Sequence, residues 1–180
     1  MSEKNLDQIN SYLSFKLGEE TFAANVSKVL NILEMTEITK VPRAPEYMKG
    51  VINLRGSVLP VVDTRIKFGM PATEYTSNTC ILVMEVEVDG EQVQVGGLVD
   101  AVQAVLEIEK EDILPPPSIG SKYRSEFISG MAKIDDRFIM LLNMDRVFSS
   151  DEITDLRERT ESSKLQQEVS MEERKEKVKT

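Results

Sequence analysis

The chain contains no histidine, no tryptophan and one cysteine among its 180 residues. Without an imidazole, Ser-His-Asp and Cys-His nucleophilic catalysis, histidine general bases and every histidine-bearing zinc or iron site are excluded. One cysteine cannot close an intrachain disulfide. Cys80 sits in the apolar run Thr79-Cys80-Ile81-Leu82-Val83-Met84 with no basic neighbour to favour the thiolate, so it reads as an inert thiol of the core. Long hydrophobic stretches are also missing: none approaches the ~20 residues that span a bilayer. The start, Met1-Ser2-Glu3-Lys4-Asn5-Leu6-Asp7-Gln8, has neither the basic beginning nor the apolar middle of a signal peptide. The sequence therefore reads as cytoplasmic, which leaves the sequon Asn25-Val26-Ser27 without consequence. Positive charge is scarce too, with 22 Lys and Arg against 31 Asp and Glu and a net charge of −9. That balance argues against nucleic acid, whose affinity comes largely from phosphate neutralisation.

What the chain does have is 41% hydrophobic and 29% charged residues, a composition that builds a packed core in one globular unit or two small ones. Tyr12-Leu13-Ser14-Phe15-Lys16-Leu17 alternates with period two, Gly18-Glu19-Glu20 turns, and Thr21-Phe22-Ala23-Ala24 resumes, a hairpin. Val26 to Leu33 fits either a strand or a short helix. The prolines of Val41-Pro42-Arg43-Ala44-Pro45 mark a loop, and Gly50 ends it. Strands Val51 to Leu54 and Ser57 to Val62 flank an Arg55-Gly56 turn; Pro60, which cannot donate to a ladder, predicts an edge position or a bulge. A long strand from Thr79 to Val88 turns at Asp89-Gly90 and returns through Val95, with a break or bulge expected at Gly96-Gly97. Ala104 to Ile108 precedes the stiff connector Pro115-Pro116-Pro117, and a last hairpin, Phe127 to Ile134 and Arg137 to Asn143, turns at Asp135-Asp136. From 149 the chain alternates acids and bases, as in Glu172-Glu173-Arg174-Lys175-Glu176-Lys177, and reads as a helix capped by Ser149 or Ser150 that frays into a charged tail.

Two blocks recur in the same order. Gly18-Glu19 followed by Val26 to Leu33 resembles Gly90-Glu91 followed by Val99 to Leu106. The segment Gly50 to Arg65 resembles Gly130 to Arg146. This repeat predicts a mostly β chain of two similar small barrels, placed at 12–78 and 79–148, with a charged tail over 149–180.

No arrangement of residues suggests catalysis. Asp135-Asp136 suits turn chemistry better than acid catalysis, Asp89-Gly90-Glu91 lacks the spaced oxygen ligands of a calcium loop, and the glycines fall at strand ends without the strand-to-helix context of a phosphate cradle. The informative segment is Gly50-Val51-Ile52-Asn53-Leu54-Arg55-Gly56-Ser57-Val58-Leu59-Pro60-Val61-Val62-Asp63. It reads either as a hairpin whose Arg55 points to water or as a partner surface with Asn53 and Arg55 as polar anchors among exposed Val, Leu and Pro.

That segment, with Val41-Pro42-Arg43-Ala44-Pro45, Leu98-Val99-Asp100-Ala101-Val102, Ile113-Leu114-Pro115-Pro116-Pro117 and Asn143-Met144-Asp145-Arg146, resembles the bacterial chemotaxis coupling family CheW in order over Tyr12 to Phe148. The resemblance implies two five-stranded SH3-like barrels without catalytic activity or cofactor. It implies an adaptor that joins the cytoplasmic tip of a transmembrane chemoreceptor to the regulatory domain of the histidine kinase CheA, recruited to membrane-bound arrays without inserting. By the same resemblance the receptor's helical hairpin docks between the barrels on Val29, Asn31, Gly50, Asn53, Leu54, Arg55, Gly56, Val99 and Val102, with Arg55 facing a receptor carboxylate. Val105, Leu114 and Ile119 are the candidates for the kinase surface, and weak self-association through the same ends fits the pattern. The chain departs from the family at Asn31, where Glu is common, and at Thr64, where Leu is common. Alternatives are a fragment of the kinase's own regulatory domain, a coupling protein fused to a receiver, or an OB-like barrel. The first two need nucleotide-binding motifs or a receiver that this sequence lacks; the third needs basic residues and stacking aromatics, where aromatics are only 6%.

Because residues beyond Ser150 carry few apolar groups, their removal is expected to leave the melting temperature nearly unchanged. A fall of about 10 °C or more in a thermal melt, equivalent to more than about 1 kcal/mol, overturns that reading.

Overall fold

Period-two alternation and two-residue turns organise nearly all of the chain. The computed structural model describes residues 10–116 and 125–148; Ile119 and the charged tail lie outside the described residues. β1 (Ser11–Leu17) and β2 (Glu20–Asn25) form the first hairpin. The segment open to two readings contains both: a 3-10 turn, Val26–Lys28, whose Ser27 amide donates to the Asn25 side chain at 2.9 Å, and then β3 (Val29–Glu34). β4 (Met48–Leu54), β5 (Ser57–Asp63) and the short helix α1 (Thr64–Lys67) follow. The second half supplies β6 (Cys80–Val88), β7 (Glu91–Val99), β8 (Ala101–Glu107), β9 (Ile128–Ile134), β10 (Arg137–Leu142) and α2 (Met144–Phe148). Three hairpins turn on residue pairs that both hold positive φ, namely Arg55-Gly56, Asp89-Gly90 and Asp135-Asp136, as type I′ turns require.

Among the described residues the ten strands form two five-stranded sheets, ordered β8-β1-β2-β10-β9 and β3-β6-β7-β5-β4. Advancing every strand number by five converts one order into the other, so the sequence repeat is also a repeat of structure. The division at residues 78 and 79 does not separate the sheets. β3 to β7, residues 29–99, make one sheet, whereas the other joins β1 and β2 to β8, β9 and β10. Each repeat's first hairpin therefore pairs with the last three strands of the other repeat. A boundary drawn between sequence repeats misses this exchange because pairing partners are chosen by the core and not by proximity in the chain.

Two local expectations are also corrected. Gly96-Gly97 neither breaks nor bulges β7, whose register with β6 runs unbroken from Glu91 to Val99. A Cβ on Gly96 would sit 2.8 Å from Ile81 Cγ2 and 3.3 Å from Leu59 Cδ2, so the glycines are there for space. Likewise β5 is not an edge strand, since β4 and β7 flank it. Val51, opposite Pro60, gives its amide to Thr39, so the missing proline donor faces the β7 side, one residue short of Val61 where that ladder begins.

Each sheet curls until its ends meet. Thr39, beyond edge strand β3, exchanges two backbone hydrogen bonds of 2.8–2.9 Å with Val51 on the opposite edge, and Leu114 does the same with Met131 at 2.7–2.9 Å. Alternate residues then face two interiors. Along β6, Ile81 and Val83 point into a cluster with Ile52, Leu59, Val61 and Leu98, while Leu82, Met84 and Val86 point into a larger core shared by both sheets. Along β10, Ile139 and Leu141 join Ala23 and Ala132 inside the other barrel, while Met140 and Leu142 face the shared core. Phe15, Phe22, Phe68 and Phe127 form a chain of rings through that core, with centroids 5.6–6.2 Å apart. Burial of each such side chain stabilises the fold by roughly 1.5–3 kcal/mol.

Two polar junctions flank the core where the chain passes between sheets. Asp100, between β7 and β8, takes a two-pronged bond from Arg65 of α1, its Oδ1 accepting from Arg65 Nε at 2.8 Å, and it also accepts the Gly18 amide at 2.6 Å. At the other crossing, Lys28 Nζ lies 3.0 Å from Asp145 Oδ2 of α2, and Asp145 Oδ1 accepts the Glu87 amide at 2.9 Å. Burial alone would raise the Asp100 pKa, but the hydrogen bonds from Arg65 and Gly18 and the guanidinium charge outweigh it and hold the carboxyl below its ordinary 3.8. A carboxyl with a depressed folded pKa stabilises the fold above its ordinary value and loses that contribution as pH falls through the folded value. Asp100→Asn is therefore expected to cost about 2 kcal/mol near neutral pH, with the gap to the parent narrowing only below about pH 4. Urea unfolding at several pH values measures this; a gap independent of pH between 2 and 7 contradicts it.

Candidate functional site

The residues singled out in the sequence fall into three groups. Val29, Val99 and Val102 converge on the shared core at the two places where the chain crosses between sheets. Val99 is 2% exposed, and Val29 and Val102 are half-buried against the same cluster. Val29 pairs with Met84 and Val102 with Phe15, one position in each repeat, so together they form an apolar seam between the barrels.

The second group is the β4–β5 turn. Asn53 accepts the Gly56 amide through Oδ1 at 2.9 Å, which holds the turn closed, and Arg55 stands exposed at φ 52°. Arg55 has no hydrogen bond or ion pair among the described residues, whereas Leu54 packs on the interior cluster of its own barrel. Gly50 is buried, and a Cβ there would collide with the Thr39 carbonyl that closes the barrel; its counterpart Gly130 lies under Ile113 and Leu114. Gly50 and Val99 are thus packing residues beneath the surface. Asn31 on edge strand β3 turns its side-chain oxygen to the Ile32 amide at 2.8 Å.

The third group lies on the other barrel. Val105 is 60% exposed, and Leu114, though its backbone closes the barrel, leaves its side chain exposed. Cys80, expected in the core, is half-buried, and its thiol donates to the Asn78 carbonyl at 3.2 Å.

Several exposed apolar residues were not singled out: Leu30, Ile32, Val58 and Phe138. In sequence, Val26 to Leu33 is open between strand and short helix and does not say which side chains face out; the register shift between Val29 and Asn31 decides it. The repeat carried a usable signal for the others. Val58 and Phe138 are both second in the strand after a two-residue turn, and Ile32 and Val105 are both fourth along the strand from the seam valines.

Charge near these surfaces is held in place locally. Asp63 caps α1 by accepting from the Arg65 amide at 3.0 Å, and Tyr75 donates to it at 3.4 Å. Burial, then the Asp63 charge and that hydrogen bond, push the Tyr75 pKa up to about 12. No helix among the described residues is long and apolar enough to cross a membrane.

Two closed five-stranded barrels of the SH3-like kind, fused through a common core and displaying apolar side chains at matched positions, make this a β scaffold. The family model described as the CheW-like domain matches residues 11–152. The chain is 41% identical over 140 residues to a protein from Rhizobium meliloti named chemotaxis protein CheW, covering 78% of this chain and 88% of that relative. It is 32% identical over 142 residues to the protein of the same name from Klebsiella aerogenes, covering 79% and 83%. A crystal structure titled as the scaffolding protein TtCheW of Thermoanaerobacter tengcongensis matches with a TM-score of 0.71 at 31% identity, over 79% of this chain and 90% of that one. The chain belongs to the CheW family, whose members are non-catalytic chemotaxis scaffolds.

Gly50→Ala tests the assignment of Gly50 to packing. With φ at 147° and the Thr39 carbonyl in the way, it is expected to cost about 3 kcal/mol in urea unfolding. Unchanged stability with impaired partner binding would return Gly50 to the surface.

Proposed function

We propose that this protein couples the cytoplasmic tip of a chemoreceptor to the regulatory domain of the histidine kinase CheA, acting in the cytoplasm at membrane-bound arrays and performing no chemistry of its own. The observation that carries the reading is the matched exposure of apolar side chains on two closed barrels: Ile32 with Val105, and Val58 with Phe138. Each barrel has already closed its own edges and filled its own interior, so among the described residues nothing covers these groups. Matched patches on opposite barrels suit a part that must touch two partners at a fixed angle.

The receptor's helical hairpin lies along the seam on Val29 and Val102, supported from beneath by Val99 and Gly50, with the turn Asn53-Leu54-Arg55-Gly56 at its side. Membership in the CheW family supports this placement, as does the exposed Arg55, which has no partner among the described residues and suits a receptor carboxylate. Asn31, neutral and bonded to its own strand, brings no charge of its own to that pairing. The kinase surface belongs to the other barrel, around Val105 and Leu114, with Ile119 completing it in sequence.

Mixing the purified protein with membranes bearing receptor tips and with the kinase is expected to raise kinase autophosphorylation only when all three are present. Failure of matched partners from one source to co-sediment overturns the reading. Arg55→Asp keeps the fold, since aspartate tolerates positive φ better than arginine, and weakens receptor binding about tenfold. Val105→Glu, at an exposed position, is expected to abolish kinase activation while receptor co-sedimentation persists. Loss of both together, or of neither, contradicts the separation of the two surfaces.

A further inference from the structure

The two junctions that flank the shared core are built to the same plan. In each, the second residue after a helix cap, Arg65 after Asp63 or Asp145 after Asn143, meets a residue at the crossing between sheets, Asp100 or Lys28. In each, the carboxylate also accepts an amide from the first hairpin of a repeat, Gly18 in β1–β2 or Glu87 in β6–β7. Register equates Phe15 with Met84 through their partners Val102 and Val29, so Gly18 and Glu87, each three residues further on, occupy the same place. What differs is the sign. The first repeat supplies both cations, Lys28 and Arg65, and the second supplies both anions, Asp100 and Asp145.

From this we infer that the inverted polarity of the two junctions restricts docking to unlike repeats and keeps two chains from joining through like ones. Two first repeats docked as the repeats dock here would set Arg65 of one copy beside Lys28 of the other, one position from the place Asp100 holds, twice. Two second repeats would set Asp145 beside Asp100, one position from the place Lys28 holds, twice. The apolar core discriminates by size, because Phe15 and Phe22 of the first repeat stand where the second has Met84 and Val95. The repeats nonetheless share strand order, closing bridges and alternation, and the junctions add a discrimination by charge. Like charges placed where half-buried ion pairs belong raise the energy of the wrong assembly without altering the right one. The side chains concerned are 16–33% exposed, so solvent screens these pairs only in part.

The test uses the whole chain with a specific protease site placed at residues 72–74, in the exposed connection between repeats. After cutting, unfolding in urea and refolding, native mass spectrometry counts assemblies of like and unlike halves. Random pairing would give about half of all assemblies as like pairs. The parent is expected to give unlike pairs alone. In Lys28→Asp with Asp145→Lys each native pair is kept but each repeat carries both signs, and like pairs are expected to appear. Adding Arg65→Asp and Asp100→Arg restores one sign per repeat and is expected to restore unlike pairing, although this variant has lost both native amide acceptors. Local damage from substitution would instead grow with the number of changes.

Intact, uncut variants refolded at increasing concentration give a second reading that needs no reassembly of fragments. Concentration-dependent dimers are expected to increase in the two-residue variant over the parent and to fall again in the four-residue variant. Like pairs in the parent, unlike pairs alone in the two-residue variant, no recovery in the four-residue variant, or equal dimer levels in all three intact chains would each overturn the inference.

Discussion

Both faces of each sheet are apolar, and a five-stranded barrel can enclose only one of them. Ile81 and Val83 fill one barrel while Leu82, Met84 and Val86, alternating with them on the same strand, need cover from outside it. Ile139 and Leu141 fill the other barrel while Met140 and Leu142 need the same cover. The demand is met by placing the uncovered faces against each other, and nearly everything else in the structure follows. The hairpins are exchanged, the crossings lie at the pseudo-symmetric seam, and α1 and α2 end strands of one sheet while their polar residues reach the other.

A scaffold made this way is rigid: the angle between its two barrels is set by a close-packed core of phenylalanines and by two ion-pair junctions. A flexible linker would let each partner bind without the other sensing it. The exchange of hairpins removes that freedom, because neither sheet can be completed without strands from both repeats.

The same packing divides the residues that sequence motifs group together. Gly50 and Val99 are buried packing residues, Asn53 holds a turn, Arg55 is exposed, and Val29 and Val102 are half-buried at the seam. Motifs record both kinds of residue alike. Telling them apart requires knowing what lies above each Cα. For Gly50 that is the Thr39 carbonyl, eleven residues away in sequence and in hydrogen-bond contact with Val51 through a closure no local pattern announces.

The amino-acid sequence by itself determined the strands, the turns and the repeat. Alternation, Asp89-Gly90, Arg55-Gly56 and Asp135-Asp136 act over a few residues, where backbone sterics and side-chain polarity are decided locally. It also carried the scaffold reading, through the missing imidazole and the ordered run of motifs. Only the tertiary structure decided which hairpin pairs with which sheet, that Gly96-Gly97 serves space and not a bulge, that Pro60 lies inside a sheet, and which side chains of Val29 to Leu33 face water. Those outcomes depend on contacts between residues far apart in the chain, and a core that buries two faces at once can be satisfied only after both repeats are present.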